Sequence, residues 1–175
     1  MRYVALLRGV NVGGNTMIKM AELSNMFESL GFENVKTYIN SGNIAFNSSK
    51  TTEKKLVGII EKAVEEMFGK KIAVMVREQK DIHRVLANNP FDGEFASHKE
   101  MHVLFMRDEM PAEKEKQLLE LQNTDERFAV VGREIYCHLR LGVADSLLGK
   151  GFIDKKLKVQ ITGRNWRTVQ KLAEL

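Results

Sequence analysis

The sequence predicts an α+β protein made of two ferredoxin-like halves joined into one compact protein, with helices at its C-terminal end. Three observations carry that expectation. Apolar periodicity over residues 1–77 switches in the order βαββαβ, and a second series with the same βαββ opening begins at Met101. Across 175 residues, 43% hydrophobic and 29% charged side chains leave enough apolar surface to bury a core, which excludes a disordered chain.

Residues 3–7 form a continuous apolar run, which suits a central strand buried on both faces. Met20, Leu23, Phe27 and Leu30 recur at helical spacing, and Gly31 follows where a left-handed residue ends a helix. Residues 35–39 and 44–46 read as a hairpin around Asn40-Ser41-Gly42-Asn43, a run of turn formers. Leu56, Ile59, Ile60, Ala63, Val64 and Met67 then define a helix over residues 52–68 that Gly69 stops. Residues 72–76 close the half. Handedness rules put strand one beside strand three in mid-sheet, leaving strand four at an edge. That strand is continuously apolar, so it is expected to pair with the second half or be covered by it.

The second half continues with a helix over residues 79–87, a loop marked by Asn88-Asn89-Pro90 and Asp92-Gly93, and a strand over residues 101–106. A helix over residues 112–121 is opened by Pro111, and strands at 128–131 and 134–139 flank a Gly132-Arg133 turn. This is a duplication of architecture without an obvious residue-level repeat. Two helical segments follow, one over residues 145–157 broken by Gly149 and Gly151, the other over residues 165–175. The resulting division is 1–77, 78–150 and a C-terminal helical segment 151–175 that packs on the halves.

A single cysteine, Cys137, rules out a disulfide framework and a multi-cysteine zinc site, and suits a reducing cytoplasm. No stretch approaches the ~20 apolar residues of a membrane span, and none reads as a secretory signal, so no membrane partner is expected. The net charge is +4, with a pI of about 9.1. Residues 1–77 carry 11 basic and 7 acidic side chains, residues 78–150 carry 10 and 14, and residues 151–175 carry 6 and 2. The two ends are therefore basic around an acidic middle. If the last helix packs near the first half, a basic face results.

Candidate sites begin with Arg8-Gly9-Val10-Asn11-Val12-Gly13-Gly14-Asn15-Thr16, which leads from a strand towards a helix. The glycine spacing and Thr16 approach a P-loop, but Asn15 stands where its lysine is required. Such a loop still offers backbone N–H groups to an anion. In a ferredoxin-like sheet, the exit of strand one and the turn between strands two and three lie at the same end. Arg8, Asn11, Gly13 and Gly14 should therefore converge with Tyr38, Asn40, Ser41 and Asn43, either as a polar binding cluster or simply as residues that satisfy tight turns. Near the C-terminus, Trp166, Val169, Leu172 and Ala173 make an apolar stripe that docks the helix. Arg164, Arg167 and Lys171 fall on another side, with Asn165 beside them, as a solvated face or a phosphate contact. Cys137 alternates within a strand and reads as buried and inert. His98 and His102 have helical metal spacing without a helix, His83 has only Asp81 near it, and Ser41 lacks a nucleophile elbow. No metal and no cofactor is called for.

Three segments together resemble a known family: Ala5-Leu6-Leu7-Arg8-Gly9-Val10-Asn11-Val12-Gly13-Gly14, Thr37-Tyr38-Ile39-Asn40-Ser41-Gly42-Asn43-Ile44-Ala45-Phe46 and Arg164-Asn165-Trp166-Arg167-Thr168-Val169-Gln170-Lys171-Leu172. The chain resembles the bacterial family catalogued as domain of unknown function 1697 over nearly its whole length. The resemblance implies a cytosolic bacterial protein of two ferredoxin-like halves. It supplies no reaction, cofactor or catalytic residue. Members often carry a Lys after the double glycine, where this chain has Asn15.

The leading expectation is a binding protein for a small anionic ligand or nucleic-acid phosphates at the converging loops. The alternatives are an enzyme that positions a small polar or phosphorylated substrate with Arg8 and Ser41, and a structural or partner-binding module. Internal hydrogen bonding of the loop side chains would favour the last.

Overall fold

A computed structural model describes residues 1–14 and 16–175. The fold is mixed α+β, with two four-stranded antiparallel sheets and six helices among the described residues. Two compact units divide the chain: Met1–Arg84 with Lys171–Leu175, and Val85–Gln170.

The first unit runs β1 (Arg2–Leu7), α1 (Met20–Ser29), β2 (Glu33–Tyr38), β3 (Asn43–Asn47), α2 (Glu53–Phe68), β4 (Val74–Glu78), and contains the start of α3 (Gln79–Ala87). Its sheet order is β2-β3-β1-β4, so strand one lies beside strand three in the middle, as handedness requires. Tyr3, Ala5 and Leu7 share one face with Ile44, Phe46, Val74 and Val76, and pack against Leu23 and Phe27 of α1 and Leu56, Ile60 and Val64 of α2. Phe46 is the hub, its ring centroid 5.8 Å from Tyr3, 5.2 Å from Phe27 and 4.5 Å from Phe32. Val4 and Leu6, on the opposite face, are buried too. That double burial is why the strand is apolar at every position from Tyr3 to Leu7. Both helices stop as their sequences predict. Gly31 adopts φ +85° and donates to Glu28 O at 3.0 Å, and Gly69 caps α2 at φ +70°. Thr52 opens α2 by accepting from Lys55 N at 3.2 Å.

β4 has one strand neighbour, β1, among the described residues. The two sheets are separate ladders, so the expected pairing of this edge with a strand of the second half does not occur. Val74, Met75, Val76 and Arg77 are nevertheless all buried, which accounts for the apolar run.

The second unit holds β5 (Met101–Met106), α4 (Ala112–Leu119), β6 (Glu126–Val131), β7 (Glu134–Leu139), α5 (Phe152–Lys155) and β8 (Ile161–Asn165), then most of α6 (Trp166–Glu174). Its order, β6-β7-β5-β8, repeats that of the first sheet element for element. Leu104, Met106, Ile135, Cys137 and Leu139 form its core with Leu118, Ile153 and Leu157. Gly132 makes the β6–β7 turn at φ +58°.

Two elements differ from expectation. β8 lies where no strand is predicted, because Thr162, Gly163 and Arg164 interrupt its apolar pattern. The helix expected over residues 145–157 is reduced to α5. A Cβ on Gly149 would sit 2.1 Å from Val143 O in a tight turn, and Gly151 is left-handed at φ +73°. Residue-level equivalence also emerges once the sheets are compared. Arg77 pairs with Val4 and Arg164 with Val103, each the third residue of its central strand. Both arginines are buried, and each donates from Nη1 to the carbonyl of the residue before it, at 3.0 and 2.9 Å.

Candidate functional site

The segment after β1 is tied down on two sides. Leu7 N donates to Gly42 O at 2.9 Å, in the β2–β3 turn, and Arg8 N donates to Ala73 O at 2.9 Å, just before β4. Three loops thus share one end of the first sheet: residues 8–14 with 16–19, residues 39–42 and residues 69–73. The convergence of the first two was expected.

Asn11 holds them together. At φ +56°, its Nδ2 donates to Ile18 O at 2.8 Å and to Asn40 O at 2.7 Å, while its Oδ1 accepts from Ile18 N at 2.8 Å. Asn43 is fully buried and donates to Tyr38 O at 3.0 Å and Ser41 Oγ at 2.8 Å. Both amides are therefore spent inside the protein. Gly42 cannot be replaced cheaply, because at φ +82° a Cβ would lie 2.7 Å from Val10 Cγ2 and 2.8 Å from Leu7 Cβ.

What faces solvent is a different subset. Gly13 and Gly14, both left-handed, are exposed, as is Asn40, while Arg8, Tyr38 and Ser41 are half-buried. Asn15, the position that separates this loop from a P-loop, lies outside the described residues. The third loop adds Lys70 and Lys71, and Lys19 follows Ile18. All three lysines are exposed, and among the described residues none is in an ion pair. Sequence reading missed the lysine pair. Its signal was available, since an antiparallel β4 brings Gly69-Lys70-Lys71 to the end where β1 exits.

Of the C-terminal cations, Arg167 and Lys171 lie exposed on α6 as expected, and Arg164 is placed otherwise. Arg164 belongs to β8 and is buried, not on a solvated helical face. Its Nη1 donates to Thr162 Oγ1 at 2.7 Å, and burial pushes its pKa down to about 10. Asn165 caps α6, its Oδ1 accepting from Thr168 N at 2.9 Å. Arg167 is exposed. Trp166 is buried, its ring edge-on to Phe95 at 5.9 Å, so it docks its helix as predicted. Lys171, in the first unit, pairs with Glu174 at 2.8 Å.

Cys137 is fully buried, and burial first, then Glu126, pushes its thiol pKa well up. His102 lies on β5, where burial and then His98 lower its pKa. Among the described residues no three or more His, Cys, Asp or Glu side chains are grouped to hold a metal, and no helix is long and apolar enough to cross a membrane.

The family described as "Protein of unknown function (DUF1697)" matches residues 1–136. A solved structure, that of the conserved bacterial protein SP0830 from Streptococcus pneumoniae, is similar over 99% of this chain and 97% of its own. Identity between the two is 26%, with a TM-score of 0.80. No curated protein matches the chain.

Proposed function

The chain belongs to the DUF1697 family of proteins of unknown function, and we propose that its first unit binds phosphate-bearing anions, small or carried on a nucleic-acid backbone, at the loop end of its sheet. One observation carries this reading. Arg8, Lys19, Lys70 and Lys71 lie with the exposed Gly13-Gly14 turn on the loops that share one end of the first sheet, and backbone and Asn11 hydrogen bonds tie those loops together. Cations and accessible backbone N–H groups gathered at one end of a sheet suit an anion, and a loop backbone already tied down costs little further ordering when one binds. In this reading the three lysines, the Gly13 and Gly14 amides and Asn40 meet the ligand, with Arg8 beside them. Asn11, Tyr38, Ser41 and Asn43 hold the frame. Arg164, Asn165 and Arg167 are left out, the first two because burial and capping occupy them.

Each half is read as a ferredoxin-like unit, supported by the repeated βαββαβ order and the matching strand orders; the second half then runs through β8 rather than ending at residue 150. A reducing cytoplasm suits the lone thiol.

The test is binding of the full chain to inorganic phosphate and to a labelled duplex oligonucleotide across a salt series. Lys70→Gln with Lys71→Gln is expected to weaken duplex binding and to reduce the log–log salt slope by about 2. Absence of any binding at about 50 mM salt overturns the reading. The inward amides of Asn11 and Asn43 favour one competitor, a structural or partner-binding module, for which that null result is the expected outcome.

A further inference from the structure

The same loops carry a feature that phosphate does not explain. Val12, Met17 and Ile39 are 61%, 71% and 51% exposed. They are sequence neighbours of Asn11, Ile18 and Asn40, the three residues that the Asn11 side chain joins by hydrogen bonds, so the three segments lie side by side. Ile39 also adopts φ +46°, a conformation that β-branched residues avoid. A strained, exposed isoleucine gains nothing from the core, and the three apolar side chains share their end of the sheet with the loops that carry Arg8, Lys19, Lys70 and Lys71. Like charge on both faces disfavours a second copy docking end to end.

Resting on the anion-binding reading above, we propose that the ligand is a single-stranded nucleic acid, its phosphates on Arg8, Lys19, Lys70 and Lys71 and its unstacked bases against Val12, Met17 and Ile39. A compact phosphate offers nothing to apolar side chains. The outer surface of a duplex is phosphate and sugar, so it matches the cations and leaves the crest in water. A single strand presents charge and flat apolar faces on one flexible chain, and needs no groove-reading helix. An anionic bilayer also offers both, but burying Met17 and Ile39 in acyl chains would take the neighbouring Asn40 and the Gly13 and Gly14 amides out of water without partners. Base edges and phosphate oxygens can bond those groups instead.

The experiment measures fluorescence anisotropy of the full chain with a labelled oligothymidylate of about a dozen nucleotides, with a duplex of equal length, and with vesicles containing phosphatidylglycerol. The expected result is a preference for the single strand of about tenfold, lost in Val12→Ser/Met17→Ser/Ile39→Ser while duplex binding is unchanged. Met17→Ser alone should remove part of the preference, and unchanged far-UV circular dichroism shows that both variants fold. Equal affinity for single strand and duplex, or a preference that survives the triple variant, overturns this inference and leaves anion binding standing. Vesicle binding sensitive to the triple variant, without single-strand binding, replaces the ligand with a membrane surface. Absence of binding to every probe removes both readings.

Discussion

Replacing Gly42 by alanine isolates the close approach that holds the two main loops together. The new Cβ would lie 2.7 Å from Val10 Cγ2 and 2.8 Å from Leu7 Cβ, both residues being fully buried and Leu7 already donating its backbone N–H to Gly42 O. Left-handed geometry at φ +82° costs alanine about 1–2 kcal/mol. Overpacking adds about 1–3 kcal/mol, so the expected loss is about 2–5 kcal/mol, a large share of a domain's stability. Gly9 supplies the control, because it too is left-handed, at φ +68°, but a Cβ there meets nothing within 4 Å. Gly9→Ala should therefore show the backbone cost alone. Urea denaturation by far-UV circular dichroism gives both values. Exchange of the Leu7 amide, which donates to Gly42 O, reports whether the contact itself has opened. Equal destabilisation by the two variants, within about 0.5 kcal/mol, would refute the steric account.

Asn11→Gly keeps the left-handed backbone but deletes three hydrogen bonds; a loss of about 1–3 kcal/mol and faster exchange of the Ile18 amide are expected. Cys137 should resist a thiol reagent in the native protein and react on denaturation, since it is fully buried with its thiol pKa pushed up. His102 has its pKa lowered from 6.5, chiefly by burial, so below about pH 6.5 the unfolded chain binds more protons than the native one. Stability is expected to fall as pH drops through that window, and urea midpoints of His102→Gln should fall less steeply. Gly149→Ala would place a Cβ 2.1 Å from Val143 O and should lower the melting temperature by more than Gly9→Ala does.

The parts of the fold that were legible in the sequence are those set by periodicity and by backbone stereochemistry. The double burial of β1 leaves every position from Tyr3 to Leu7 apolar, and Gly31 and Gly69 end their helices because left-handed caps exclude most side chains. β8 was not legible, because Arg164 continues the spacing of Arg167 and Lys171 and so joins a strand to the helix that follows it. Its equivalence to Arg77 rests on register, which one-dimensional comparison does not see. The site was legible as a meeting of loops, but composition cannot show which way an amide points. Asn11 and Asn43 look like ligand donors and serve as struts, whereas Lys70 and Lys71 look like a solvated helix end and stand at the exit of β1.

The last five residues of the chain belong to the first unit. Arg2 donates to Leu175 O at 3.1 and 2.5 Å, and Gln79 Nε2 reaches Leu172 O and Ala173 O at 3.4 and 3.3 Å. During synthesis this reverses the usual order, in which the N-terminal domain is finished first. The second unit has all its residues once Gln170 has been made, while the first, begun with β1, still lacks Lys171–Leu175. The unit that carries the candidate site is therefore completed only after every residue of the second unit has been made.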